Sequence, residues 1–321
     1  MILNLQILRA FAALNVVLFH IIGTSEAYGY GTEALAVLQG WGANGVDLFF
    51  VISGFVMLYT QLESKRTVSD FLKLRIIRIA LIYWFVTLLV ILLYLLHPSS
   101  FSDFKLTPEW ALASLGFVSS VTIGSSPIVN VGWTLEWEML FYLVFGLSLW
   151  FKSWIISLST TVITLLLIAV LASNFILVEF IAGMAIAILI KKYGFIAHGR
   201  ASLVIGLLLL SASISSEVRY LIESREILFG IPSALIVYGA VTTTQVKSRV
   251  GKLLGDASYS IYLIQVFSIP IFYKFASYVD IEFNSDLLTL MCLLATAIGG
   301  TAMYLIVEKP LIGFAKRRVG R

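Results

Sequence analysis

The sequence predicts an all-α fold: a polytopic transmembrane helix bundle of about ten helices with N- and C-termini cytoplasmic. Three observations carry this. First, 60% of the 321 residues are hydrophobic and 12% are charged, about half the charged fraction of an ordinary soluble chain. With a mean hydropathy of +0.97, there is too little polar surface to cover a soluble globule, and burial in lipid is the simplest solution. Second, the apolar runs are long and do not alternate, with six prolines to interrupt them; strands of a membrane barrel would alternate at every second residue. Third, the basic residues gather in alternate connections, as the positive-inside rule requires.

A helix needs about 20 mostly apolar residues to cross the hydrocarbon core. Candidate spans fall at 5–23, 44–62, 76–96, 131–151, 155–172, 175–190, 202–216, 227–245, 259–278 and 287–307. The fifth to seventh are short or abut one another, so nine or eleven spans also fit. The apolar segment Glu109 to Ser119 is too short to span and reads as an interfacial or re-entrant piece of the longest outer loop. With both ends inside, the inner connections carry Lys65, Arg66, Lys73, Arg75, Arg78, Lys152, Lys191, Lys192, Arg200, Lys247, Arg249 and Lys252. The C-terminal tail adds Lys309, Lys316, Arg317, Arg318 and Arg321. Outer loops hold only Lys105, Arg219 and Arg225, with Lys274 near an outer helix end. The net charge of +4 is therefore an orientation signal and not a nucleic-acid patch. No soluble domain, repeat or low-complexity tract interrupts residues 1–321, which read as a single membrane domain.

Ionisable groups within spans cost a few kcal/mol each and usually face a cavity. The first span holds Arg9 and His20 in "LRAFAALNVVLFH". Eleven residues at about 100° each return to within about 20° of the same face, roughly 16 Å along the axis. A snorkelling arginine and a histidine bonded to a carbonyl are the plain alternative. The fourth span opens "VGWTLEWEMLFYLVFG", in which Glu136 and Glu138 point to nearly opposite faces, so one of them can readily face a shared cavity. Asp47 lies at the outer mouth of the second span, where solvation explains it. Ser53 and Gly54 at mid-depth suit close helix packing. Arg75 and Arg78 share a helix face at the cytoplasmic boundary. Any inner loop is expected to be basic, although paired arginines also suit phosphate.

Other chemistries find no support. His20, His97 and His198 fall in different compartments and no His/Cys cluster exists, so no metal site is visible. "GYGTEA" at Gly29 to Ala34 follows a membrane helix and not a strand, which removes the dinucleotide reading. No phosphate-binding loop and no serine nucleophile elbow is present. Cys292, the single cysteine, excludes an intrachain disulfide. The first apolar run carries Arg9 and His20 and lacks a small-residue cleavage site, so it reads as a span and not a removable signal.

The chain resembles the acyltransferase-3 family of integral-membrane acyltransferases, in particular its exopolysaccharide O-acetyltransferase branch. The resemblance covers nearly the whole chain. It rests on "LQILRAFAALNVVLFH", "GVDLFFVISGFVM", "FLKLRIIRIALIYW", "WTLEWEMLFYLVFG", "LGDASYSIYLIQ" and "VEKPL", taken in that order. It implies transfer of an acyl group, usually acetyl from acetyl-CoA, to a hydroxyl of a cell-envelope glycan or its lipid-linked precursor. Arg9 and His20 match the family's essential pair, Arg75 and Arg78 its Arg-x-x-Arg motif, and Glu138 its glutamate five residues after tryptophan. Glu136 has no such match. Ser258, Tyr259, Ser260 and Tyr262 match the "SYSIY" stretch. Gln265 stands where the family often has His, and Ala80 where it often has Pro.

Together these readings give an expected mechanism. The CoA phosphates dock on Arg75 and Arg78, with Arg9 near the inner end of the path. The pantetheine arm runs toward His20, the general base, and Glu138 orients His20. Direct attack of the sugar oxygen on the thioester competes with an acetyl-histidine relay. Asp47, Ser53, Tyr259, Ser260, Tyr262 and Gln265 are possible substrate or structural residues. The expected partners are acyl-CoA, the glycan or lipid-linked saccharide acceptor and the inner-membrane bilayer. The rival class is a proton-coupled secondary transporter, which would use intramembrane Arg, His and Glu equally well. No paired, Gly/Pro-interrupted helices in matching halves support it.

Overall fold

A computed structural model describes residues 2–100, 105–194, 198–279 and 284–319. Arg321, part of the orientation argument, lies outside the described residues. The chain is helical throughout, with no strand among the described residues. In order the helices are α1 (Leu3–Ser25), α2 (Asn44–Ser64), α3 (Val68–Leu96), α4 (Pro108–Leu115), α5 (Ser119–Thr122), α6 (Trp133–Ser148) and α7 (Trp154–Leu171). They continue as α8 (Leu177–Tyr193), α9 (Gly199–Ala212), α10 (Ser216–Leu221), α11 (Ile231–Thr242), α12 (Arg249–Tyr278), α13 (Ser285–Met303) and α14 (Lys309–Val319). One-turn π segments, Glu226–Gly230 and Tyr304–Glu308, lead into α11 and α14.

Each of the ten predicted segments carries a helix. Six helical stretches are both long and apolar enough to cross a membrane: Leu3–Tyr28, Leu35–Ser64, Val68–Leu96, Trp154–Leu171, Arg249–Tyr278 and Ser285–Arg318. Gly199–Ala212 and Glu226–Thr242 are shorter apolar helices, and α6 and α8 have 16 and 17 residues. Two starts move. Helix α3 begins at Val68, where Thr67 Oγ1 accepts the Asp70 amide at 3.2 Å. Helix α12 begins at Arg249, where Ser248 Oγ accepts the Gly251 amide at 2.9 Å. Capping hydroxyls outweighed the weaker apolar signal of these first turns. Arg75, Arg78 and Ser258 to Tyr262 consequently lie well inside long helices.

Helix α2 is central, with 61% of its most apolar stretch buried; for α7 the share is 22%, leaving a lipid-facing wall. Helices α2 and α8 approach to backbone contact. A Cβ added at Gly54 would stand 2.1 Å from Phe180 O, and one at Gly183 would stand 2.1 Å from Val51 O. These two glycines are the small-residue seam that membrane helices use to pack closely. Phe180 then stacks between Phe50, 4.5 Å away, and Phe141, 4.3 Å away. A second apolar cluster joins α1, α12 and α13 through Ala13, Val17, Ile261, Tyr273 and Cys292. The segment Glu109 to Ser119 forms α4 and the start of α5 and does not span. Trp84 Nε1 donates to Leu115 O at 2.8 Å, holding it to α3.

Candidate active site

Helices α1, α2, α3, α6 and α12 enclose a cavity of about 600 Å³. Along α2 its wall runs from Val46 to Glu63, about 26 Å at 1.5 Å per residue. Arg9, Ser53, Arg75, Arg78, Glu138, Tyr259 and Tyr262 all line it. Five separated sequence segments thus deliver seven of the predicted site residues to one space.

The basic end is built mainly from α3. Arg75 is buried, with its guanidinium carbon 5.5 Å from the Phe71 ring centroid and 5.8 Å from that of Tyr142. These rings fix the guanidinium plane while leaving Nε without a hydrogen-bond partner. Arg9 comes from α1 and lies in the electrostatic field of Arg78, Glu138 and Glu308. Three guanidinium groups around one cavity repel one another, so the arrangement favours an anion between them.

Glu138 faces these cations. Ser53 Oγ donates to its Oε1 at 2.6 Å, and Tyr142 OH donates to the same oxygen. Oε2 takes no hydrogen bond among the described residues. Glu136 points elsewhere: its Oε1 accepts the Ser119 amide at 2.8 Å and its Oε2 the Ser120 amide at 3.1 Å, tying down the start of α5. The opposite-face reading of this pair therefore holds, with Glu138 on the cavity side. Ser53 differs from expectation. Of the two, Gly54 packs in the seam with Gly183, while Ser53 donates to a carboxylate.

His20 lies apart from the cavity. Helix α1 runs antiparallel to α2, and Ala12 O lies level with Gly45, 2.2 Å from a Cβ placed there. His20 is eight residues further on, about 12 Å beyond the end of the cavity at Val46. Helical side chains lean back toward the N-terminus, which returns the imidazole part of that distance. Phe49 and Tyr262, which both line the cavity, meet edge to face at 6.3 Å. The imidazole packs on Phe19 at 4.9 Å and makes no hydrogen bond among the described residues. The expected Glu138–His20 contact is not made in this conformation; Ser53 and Tyr142 bind the Glu138 carboxylate instead.

The remaining predicted residues make these contacts within the fold. Asp47 is fully buried, which corrects the solvated reading. It accepts from Arg225 Nε at 3.0 Å and Nη2 at 2.7 Å, beside buried Glu179. Tyr259 OH donates to Ile79 O at 2.8 Å and Tyr262 OH to Val131 O at 2.6 Å, fixing α12 against neighbouring segments. Ser260 turns away from the cavity and donates to Glu308 Oε2 at 2.6 Å. Gln265 Nε2 donates to Tyr262 O at 2.6 Å, and its buried Oε1 has no partner.

Sequence reasoning assigned no role to Tyr142 or Glu308. Tyr142 stands four residues after Glu138, a spacing that puts both on one helix face. Glu308 lies within the "VEKPL" motif, but only the π turn at Tyr304–Glu308 shows that it points inward.

The acyltransferase-3 family, described as an acyltransferase domain, matches residues 2–306. The exopolysaccharide production protein ExoZ of Rhizobium meliloti (strain 1021) is 32% identical over 301 residues, covering 86% of this chain and 92% of that protein. No solved structure matches. With its long apolar helices, the protein is a multi-pass membrane protein, and the chain belongs to the acyltransferase-3 family of acyltransferases.

Proposed function

We propose that the protein is an inner-membrane O-acyltransferase that moves an acyl group, acetyl in the simplest case, from acyl-CoA to a hydroxyl of an extracellular polysaccharide or its lipid-linked precursor. Ten helices cross the bilayer in this reading, with both termini cytoplasmic. The observation that carries it is the cavity in which Arg9, Arg75 and Arg78 converge opposite Glu138. Its length along α2, about 26 Å, suits an extended acyl-CoA arm, and its cationic end suits phosphates. Likeness to ExoZ supports an exopolysaccharide as the acceptor class.

The phosphates of acyl-CoA bind Arg75 and Arg78, while the pantetheine arm follows α2 toward Phe49 and Tyr262. His20, on the Arg9 face of α1, takes the proton of the acceptor hydroxyl. The hydroxyl oxygen attacks the thioester carbonyl, the C–S bond breaks, and the departing CoA thiolate recovers the proton. Transfer in this reading requires the thioester end of the donor to meet His20, which lies about 12 Å beyond the outer end of the cavity along the helix axis. Glu138 balances the arginines and holds the donor end in register.

Acetyl-CoA should raise the apparent Tm of the detergent-purified protein, and R75Q/R78Q should abolish the rise. A proton-coupled carrier remains the rival. No acetyl-CoA shift in wild type, together with uphill solute movement in vesicles, would establish the carrier instead.

A further inference from the structure

Helix α13, the π turn and α14 form one stretch, Ser285–Arg318, of 34 residues. At about 1.5 Å per residue this is about 51 Å, against about 30 Å of hydrocarbon. Part of the stretch must emerge, and the charges say which part. From Ser285 to Glu308 the only charged side chains are Asp286 and Glu308. Asp286 is bonded to the amides of Glu33, Ala34 and Leu35, while Glu308 is buried against Ser260. Helix α14, by contrast, carries Lys309, Lys316, Arg317 and Arg318 and no carboxylate. The emerging end is therefore cationic at headgroup depth.

This end also has a shallow, open surface site along one helix face. Leu305, Lys309, Pro310, Gly313, Phe314 and Arg317 line a groove of about 450 Å³. Lys309 and Arg317 stand eight residues apart, about 12 Å along the axis, and both are exposed and make no ion pair among the described residues. Arg318 instead lies over the Phe314 ring at 4.6 Å. Gly313 keeps the groove open, since a Cβ there would meet no atom within 4 Å. Toward the membrane, Leu305 and Ile306 remain 45% and 74% exposed, an apolar wall of the kind acyl chains cover.

We propose that this groove binds an anionic phospholipid of the surrounding leaflet, its phosphate held between Lys309 and Arg317 and its acyl chains against Leu305 and Ile306. Charge complementarity favours that occupant over a zwitterionic lipid. A basic cluster just beyond a membrane helix attracts anionic headgroups by about 1 kcal/mol per cation, and the groove adds shape to that attraction. The inference is independent of the acyl-transfer reading.

The test uses the full chain in neutral detergent, with phosphatidylglycerol or phosphatidylcholine added to the mixed micelles and the apparent Tm recorded. Phosphatidylglycerol should raise Tm by several degrees in wild type, phosphatidylcholine should not, and K309Q/R317Q should lose most of the rise. G313W, which fills the groove and keeps every cation, should lose it as well. It also serves as the readout if the double variant fails to fold. Equal shifts in wild type and both variants would overturn the proposal, as would no shift in wild type. An equal shift with soluble glycerophosphoglycerol would reassign the groove to a free anion and overturn the lipid assignment.

Discussion

Replacing Arg225 with Met should destabilise the protein more than any other single charge removal on the α2 N-terminal side. Asp47 is 0% and Glu179 2% exposed, and both are held on helices packed to backbone contact. Arg225 is the cation that pairs with Asp47, through two nitrogens, and it also donates to Ala43 O at 3.0 Å. Removing one partner of a buried pair costs about 3–5 kcal/mol, because the other charge stays buried and unpaired. The Arg225 side chain is 33% exposed, so solvent already screens part of the attraction, and about 2–3 kcal/mol is the discounted figure. At about 2–4 °C per kcal/mol for a chain somewhat shorter than this one, the apparent Tm should fall by about 4–12 °C. The assay is fluorescence-detected melting in detergent, with D47N/R225M alongside. That double variant leaves one carboxylate and no bond to break, so it should recover part of the loss. If R225M melts with wild type, or if D47N/R225M is worse than R225M, the buried-charge reasoning is wrong.

Three further outcomes follow from the same geometry. Gly54→Leu should abolish monodisperse expression, since its Cβ alone would stand 2.1 Å from Phe180 O, a backbone atom that cannot swing aside; a normal size-exclusion profile would contradict the seam. Tyr142→Phe removes one of the two hydroxyls on Glu138 Oε1 and should lower transfer about tenfold and the apparent Tm by about 3–12 °C, a bond to a charged group contributing about 1.5–3 kcal/mol at about 2–4 °C per kcal/mol. Arg75→Lys keeps the charge but loses the flat face against Phe71 and Tyr142. The donor KM should rise about 2- to 30-fold from a cation–π contribution of about 0.5–2 kcal/mol, with kcat nearly unchanged.

The membrane class and the helix positions were legible in the sequence because long apolar runs report the solvent directly. That Arg9, Arg75 and Arg78 lie toward one end was legible from the basic residues at the helix boundary, whereas Glu138 was expected beside His20 and stands with the arginines instead. Asp47 was misread because its partner Arg225 lies 178 residues away, and pattern reasoning along one helix cannot see such a contact. Ser53 was misread because a small hydroxyl beside Gly54 fits both packing and hydrogen bonding, and only the position of α6 decides between them. The separation of His20 from the cavity was invisible for a different reason. It depends on the axial offset of α1 against α2, which the Gly45–Ala12 approach sets and helix periodicity does not contain.

The most direct test of the acyltransferase account is the O-acetyl content of the extracellular polysaccharide in cells carrying wild type or His20→Ala at equal membrane levels. The account predicts O-acetyl groups with wild type and their loss with H20A. Unchanged acetylation in the properly inserted variant would contradict it.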